Sequence, residues 1–300
     1  MTVLIIVTML LIAHWIIEYQ RHTKNVLSIP IRIHINGTRG KSSVTRLIAA
    51  GLREGGKVTV AKTTGTLPRV ILPDGREAAI LRLMGANIIE QKYIFRHAVK
   101  HKPDAIVIEC MAVNPVLQWI TENKFIRSTI SVITNCREDH LDLMGSTLES
   151  VTMSISNTIP KKGICYTAEE KEFPLLEKVA KSRHCKIQKI RPKDVTEEEL
   201  HKFRYIEHAE NVQLALAVCA EAGIPRDVAL RGMQKATPDP GALKKYRIED
   251  RGKTIIFYNV FAANDPQSTV EIIKMVTGNL QNIEKIIILN SRADRLFRSH

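Results

Sequence analysis

The run Asn36-Gly37-Thr38-Arg39-Gly40-Lys41-Ser42 carries residue types suited to holding a polyphosphate. Glycines let backbone N–H groups turn toward phosphate oxygens, and a helix opening directly behind them adds the positive end of its dipole. Lys41 is then placed to reach the β- and γ-phosphates of ATP, and the Ser42 hydroxyl to ligand Mg²⁺. The strict Walker spacing puts a glycine five positions before Gly40, where this chain has Ile35; Gly37 stands three positions before instead. The stretch from Asn36 through Ser43 is read as the nucleotide-binding loop.

Two further elements follow strand-like segments. Glu109 ends Ala-Ile-Val-Ile-Glu, and Thr134-Asn135-Cys136-Arg137-Glu138-Asp139-His140-Leu141-Asp142 follows Thr-Ile-Ser-Val-Ile. Ligands of open parallel sheets collect at the C-terminal ends of the strands. A carboxylate at one such end and an Asp-His pair just beyond another are therefore candidates for metal or phosphate contacts.

These side chains need a scaffold, and the patterning supplies one. Pro30 to Ile35 alternates apolar and polar residues as a strand does, and Ser43 to Glu54 has an apolar stripe at helical spacing that ends at Gly55-Gly56. Strands are expected at Lys57–Ala61, Ala105–Glu109 and Thr129–Thr134, and a helix at Ala86–Lys100. The short, β-branched strands read as buried on both faces, so the alternation predicts a doubly wound α/β domain with a parallel sheet. Helices are expected over Glu207–Gly223 and Asp227–Lys235. Thr237-Pro238-Asp239-Pro240-Gly241 reads as a linker. Beyond it a hairpin around Glu249–Gly252, a helix after Pro266 and a strand at Lys285–Leu289 form a short α/β piece.

At the other end, Val3–Ile17 is apolar apart from Thr8 and His14, with Trp15 and Tyr19 placed as interfacial aromatics and Arg21, His22 and Lys24 following. No basic residue precedes the run and no small-residue cleavage site follows it. The segment therefore reads as an uncleaved membrane anchor with the rest on the cytoplasmic side. The expected division is residues 1–20 anchor, 28–236 ATP-binding domain and 240–300 a partial C-terminal domain. Among 300 residues, Lys and Arg number 44 against 31 Asp and Glu, giving +13, which favours anionic partners without ranking them. The five cysteines are scattered and odd in number, so neither a disulfide framework nor a zinc site is indicated. No helix-turn-helix, zinc-finger or RNP pattern appears, so nucleic acid is not expected.

Taken in order, the loop, Glu109 and the Asn135 to Asp142 segment resemble the Mur ligase superfamily, whose motifs read Gly-Thr-x-Gly-Lys-Thr/Ser, a Glu after a central strand, and Asn-x-x-x-Asp-His-Leu-Asp. Lys62-Thr63-Thr64-Gly65-Thr66, Glu109 to Pro115, Phe261 to Asp265 and Arg292-Ala293-Asp294-Arg295 resemble its capsule-forming, poly-γ-glutamate synthase branch. The resemblance implies a P-loop sheet of the Mur central-domain type and ATP-dependent amide ligation through an acyl phosphate. It implies ATP and Mg²⁺ as cofactors. Glutamate, the growing polyglutamate chain, the membrane and small integral membrane subunits of a synthase complex are the implied partners. It gives Lys41 and Ser42 the triphosphate, Glu109 the same metal ion as Ser42, and His140 a second metal. Asn135, His208 and Asn211 would lie near the nucleotide, with Asp294 and Arg295 closing over it.

Two departures accompany the resemblance. No lysine occurs between His140 and Lys161, where many members carry a carbamylated one, and Glu149 is a candidate substitute. The family's Pro-Gly-Arg is Pro240-Gly241-Ala242, with Lys244 or Lys245 as candidate replacements, and the C-terminal domain is shorter than the family's. Arg69, Arg76 and Arg82 are candidates for binding substrate carboxylates. A ligase acting on a folate or cell-wall precursor and a P-loop ATPase energising a membrane complex remain as alternatives.

Overall fold

A computed structural model of the chain describes residues 1–65, 67–83, 85–239, 243–260, 266–278 and 284–288. The chain forms two compact units, Met1–Phe203 with Glu207–Asp239, and Arg204–Ile206 with Pro240–His300.

The first unit is built on one eight-stranded sheet. Its strands are β1 (Ile31–Asn36), β2 (Thr59–Thr63), β3 (Arg69–Ile71), β4 (Glu77–Ala79), β5 (Ala105–Glu109), β6 (Ile130–Ile133), β7 (Ile164–Thr167) and β8 (Lys186–Lys189), in the order β4-β3-β2-β5-β1-β6-β7-β8. From β2 to β8 neighbours are parallel; β3 and β4 add an antiparallel edge. The central strands are buried along their length, which is why β5 and β6 read as nearly unbroken apolar runs. The register sets Ile35 beside Glu109 and Asn36 beside Ile133, so β5, β1 and β6 end level with one another.

The helices of this unit are α1 (Thr2–Leu27), α2 (Lys41–Glu54), α3 (Glu90–Ala98), α4 (Pro115–Ile120), α5 (Leu141–Met144), α6 (Leu148–Ile155), α7 (Phe173–Ser182), α8 (Glu197–His201), α9 (Ala209–Glu221) and α10 (Arg226–Gln234). A methyl on Gly232 would lie 2.5 Å from the Ala50 carbonyl, so glycine there lets α10 lie close against α2. After α4 the chain continues as a π-helical turn, Thr121–Ile126. That stretch faces β1 through a matched pair of polar contacts. Asn36 Nδ2 donates to Gln118 Oε1 at 2.9 Å, and His34 Nδ1 lies 2.8 Å from Glu122 Oε2. Two residues along a strand advance about 6.6 Å and four along a helix about 6 Å, so the two spacings coincide.

The apolar N-terminal run forms a single 26-residue helix, α1, long and apolar enough to cross a membrane. Its last turns are not free. Val26, and Ile29 just beyond, are fully buried in a cluster with Phe95, Ile106 and Ile126.

Several boundaries differ from expectation. The strand expected at Lys57–Ala61 runs Thr59–Thr63, because Gly55-Gly56 and Lys57 complete the turn out of α2. The helix expected from Ala86 begins at Glu90. In the second unit, β9 (Lys244–Asp250) and β10 (Lys253–Asn259) form the expected hairpin, turning through Arg251 and Gly252 with φ of 47° and 76°. Both values suit a two-residue hairpin turn. The helix α11 follows at Pro266–Thr277. Residues 284–288 have no regular structure, so the expected strand there is not formed in the described part; among the described residues no neighbour offers it a ladder. Gly241, Ala242, Phe261–Asp265, Asp294 and Arg295 lie outside the described residues.

Candidate nucleotide and metal site

The loop after β1 is shaped by two glycines. Gly37 has φ +128°, and a Cβ there would lie 2.1 Å from Thr134 Oγ1. Gly40, at φ +81°, caps α2 without any side-chain hydrogen bond to the helix. The first N–H groups of α2 therefore face the loop with no side chain of the cap occupying them, which is the arrangement that receives phosphate oxygens.

The neighbouring strand ends hold this loop. The Thr38 N–H donates to the Asn135 carbonyl at 3.0 Å, and Thr38 Oγ1 accepts from the Arg137 N–H at 2.9 Å. The Arg39 N–H donates to Asn135 Oδ1 at 3.0 Å, while its guanidinium lies 3.6 Å from Asp139. Asn135 thus acts on the loop's backbone. Lys41 folds across the loop, donating to the carbonyls of Gly37 at 2.6 Å and Thr38 at 3.1 Å. Burial pushes its ammonium pKa down, and the charge of Glu109 opposes that shift.

At the C-terminal end of β5, Glu109 Oε2 accepts from Ser42 Oγ at 2.9 Å and from the Thr64 N–H at 2.7 Å. Burial pushes the Glu109 carboxyl up, against Lys41 and these two hydrogen bonds. A hydroxyl and a carboxylate joined under an open helix N-terminus are the oxygen donors that Mg²⁺ with a nucleotide takes from a protein. The residues present fit that group. Lys62, fully buried beside this strand end, pairs with Glu90 at 2.8 Å. The sequence motif contained Lys62 and Thr64, but nothing in the pattern marked them as neighbours of Glu109; the β2–β5 pairing does that.

Residues 35–236 match the Mur ligase middle domain family, and residues 245–300 match the poly-gamma-glutamate synthase CapB C-terminal domain. The chain is 42% identical over 297 residues to the capsule biosynthesis protein CapB of Bacillus anthracis, covering 98% of itself and 64% of that protein. Against the PGA synthase CapB of Bacillus subtilis (strain 168) it is 40% identical over 302 residues, covering 100% of itself and 77% of the relative. The chain belongs to the Mur ligase family, in its poly-γ-glutamate synthase branch. A bifunctional folylpolyglutamate synthase/dihydrofolate synthase from Yersinia pestis, solved with AMPPNP and Mn, has the same fold. Its TM-score is 0.65 at 17% identity, over 87% of this chain and 69% of that one. The chain spans a little under two thirds of the length of the Bacillus anthracis relative, 64%.

The remaining family-motif residues are placed as follows. The Asn36 side chain does not join the loop: it is turned into the core, to Gln118 and to the Ile155 carbonyl at 3.3 Å. Ser43 lies in the first turn of α2. Asn211, in the first turn of α9, reaches the loop, since a Cβ on Gly40 would meet its Oδ1 at 2.7 Å; its Nδ2 donates to Glu207 at 2.7 Å. His208 is the exposed N-cap residue of the same helix. His140 has a left-handed backbone with φ 49°, and its N–H donates to Asp139 Oδ1 at 3.0 Å. No group of three or more His, Cys, Asp or Glu side chains gathers as a metal cluster among the described residues. Glu149 is exposed in the first turn of α6. Of the arginines expected to bind carboxylates, Arg76 pairs with Asp74 at 2.6 Å and Arg82 with Glu90 at 2.7 Å.

Proposed function

We propose that the chain carries the ATP site of an ATP-dependent amide ligase that joins glutamate units into poly-γ-glutamate, for a capsule or a secreted polymer. The observation that carries this reading is the Ser42–Glu109 pair at 2.9 Å, beneath an α2 N-terminus that has no side-chain cap. Membership of the poly-γ-glutamate synthase branch supports the substrate, and a fold neighbour solved with AMPPNP and Mn supports nucleotide and divalent metal.

Ser42 and Glu109 would hold Mg²⁺, which neutralises the phosphate charge when bound. The loop N–H groups and Lys41 stabilise the charge that develops as a terminal carboxylate of the growing chain attacks the γ-phosphorus and ADP leaves. The amine of an incoming glutamate then attacks the acyl carbon; the C–N bond forms, the C–O bond to phosphate breaks, and the amine gives up its proton. Positioning and electrostatics suffice, so no side-chain nucleophile is required. Four thiols fit that view: burial pushes Cys136, Cys165 and Cys219 up to about 12 and Cys185 to about 11. His140 is assigned a second metal, Asn135 the support of the loop, and His208 and Asn211 the nucleotide. Asp294 and Arg295 are assigned closure over the nucleotide. The helix α1 anchors the protein in a membrane with this unit on the cytoplasmic side, beside small membrane subunits of a synthase complex.

Membranes containing the chain and its partner subunits should incorporate labelled glutamate into polymer when given ATP and Mg²⁺, without a folate. ATP hydrolysis with no incorporation would overturn the ligase assignment. Lys41→Ala should lower ATP turnover by roughly 100-fold or more. Unchanged turnover in that variant would sink the loop as the ATP site.

A further inference from the structure

The base of α1 is built into the first unit, and the contacts give its direction relative to α3. Lys92 Nζ lies 2.6 Å from Glu18, and one turn further along both helices the rings of His22 and Phe95 meet edge to face at 5.8 Å. Glu18 to His22 on α1 therefore runs the same way as Lys92 to Phe95 on α3. Following α1 back toward its apolar end, the N-terminus of α3 points to the same side. Ile89, three residues before Lys92, lies about 4.5 Å further in that direction, level with the neighbourhood of Trp15.

Ile89 is the residue before α3, and it is 44% exposed. Leu81 and Leu83 are 83% and 94% exposed, an unusual display for two leucines so close together. The residue between them tethers this segment to α3. The Arg82 guanidinium donates to both oxygens of Glu90, at 2.7 and 3.0 Å, and Glu90 is the first residue of α3. Glu90 is in turn held by the buried Lys62. Arg82 thus ties the segment that carries the two leucines to the N-terminus of α3.

We propose that Leu81, Leu83 and Ile89 form a second membrane contact, entering the lipid interface beside α1. Side chains this apolar gain by leaving water, and α1, as an anchor, would bring a lipid interface to the side of the unit toward which the α3 N-terminus points. The contact rests on the reading of α1 as an anchor. With two points of attachment the first unit cannot swing about α1, and the bilayer side of the α3 N-terminus is fixed.

The test uses single cysteines labelled with an environment-sensitive fluorophore on the full chain in phosphatidylglycerol–phosphatidylethanolamine vesicles. All five native cysteines are buried, so introduced exposed ones label selectively. Leu83→Cys should show blue-shifted emission and several-fold stronger quenching by nitroxide-bearing lipid than Lys181→Cys, at an exposed position of α7. Ile12→Cys, within the apolar run, reports the anchor. If the label at 12 is quenched and the label at 83 behaves like that at 181, the second contact is refuted and the anchor stands. If the label at 12 also stays in water, the anchor reading fails and the contact with it.

Discussion

The phosphate edge and the socket of α1 are built on the same sheet, and they use polar groups in opposite ways. At the edge, Gly40 caps α2 without a side chain, and Ser42 and Glu109 share one hydrogen bond that a metal can replace. In the socket the named polar groups are spent on holding the helix. His22 Nε2 meets the Phe125 carbonyl at 3.0 Å, its ring packs edge-on against Phe95 and Phe125, and Tyr19 accepts from Arg127 at 2.9 Å. One region is organised to receive a ligand and the other to hold a helix. Perturbing each should move different observables.

The largest effect is expected at Gly37. Alanine there would combine a φ of +128° with a Cβ 2.1 Å from Thr134 Oγ1. Either the loop or β6 must shift, at a cost of about 3 kcal/mol or more. Gly37→Ala should lower the melting temperature and abolish nucleotide binding together, as read by thermal unfolding and calorimetric titration. Retained binding would mean that the loop tolerates a different path and that its shape is not fixed by β6.

Next comes a pair that divides the edge itself. Glu109→Gln keeps the volume and removes the charge proposed to hold the metal, so the gain in nucleotide affinity given by Mg²⁺ should fall by roughly 100-fold. Asn36→Ala, at the last residue of β1 and directly before Gly37, should leave that affinity unchanged. It should cost about 1–3 kcal/mol of stability, because Gln118 and the Ile155 carbonyl lose a buried donor. If Asn36→Ala abolished binding with stability intact, the assignment of its side chain to the core would be wrong.

Asn36 also shows where sequence reading reached its limit. The loop, Glu109 and Asn135 could be found because polar residues directly after apolar strands stand out against the pattern. The same pattern places Asn36 on the face of β1 shared by Arg32 and His34, opposite Ile31, Ile33 and Ile35. Strand alternation was thus a signal that Asn36 points away from the loop, although its place in the motif suggested otherwise. What that face meets, Gln118 and Glu122, depends on how α4 lies on the sheet, and local pattern does not carry it. The socket was invisible for the same reason. His22 looked like a basic residue flanking an anchor, and only the packing of α3 and of the Thr121–Ile126 turn makes it a buried one. β3, β4, β7 and β8 are not among the expected strands; β8, an exposed edge reading Lys-Ile-Gln-Lys, lacks the apolar run that marks β5 and β6.

In the socket, His22→Leu should keep the shape against Phe95 and Phe125 but leave the Phe125 carbonyl without its partner. A loss of about 1–2 kcal/mol is expected, with nucleotide affinity unchanged. Denaturant unfolding and nucleotide titration on the same samples would read both. A parallel loss of affinity would show that the two regions are coupled and would break the contrast between them.

The smallest effect lies where the two regions meet, at His34 and Glu122. The Thr121–Ile126 turn faces the socket through Phe125 and faces β1 through Glu122, whose other oxygen accepts from the Ser128 N–H and hydroxyl, both at 2.9 Å. Burial alone would push the His34 pKa down; Cys110 and the Glu122 carboxylate reverse that and raise it to about 9 from an ordinary 6.5. Since the folded value exceeds the unfolded one, the stabilisation is fully present below pH 6.5 and is lost as pH rises through 9. Lys41 and Lys62, pushed down by burial, act with the opposite sign in alkali. The informative quantity is therefore the difference between the wild type and Glu122→Gln. That variant should be less stable at pH 7, and the gap should narrow toward pH 10 as the wild type loses its His34 contribution. A gap that stays constant across this range in denaturant unfolding would mean that His34 is neutral throughout, and that the strand and the turn are joined by an ordinary hydrogen bond rather than by an ion pair.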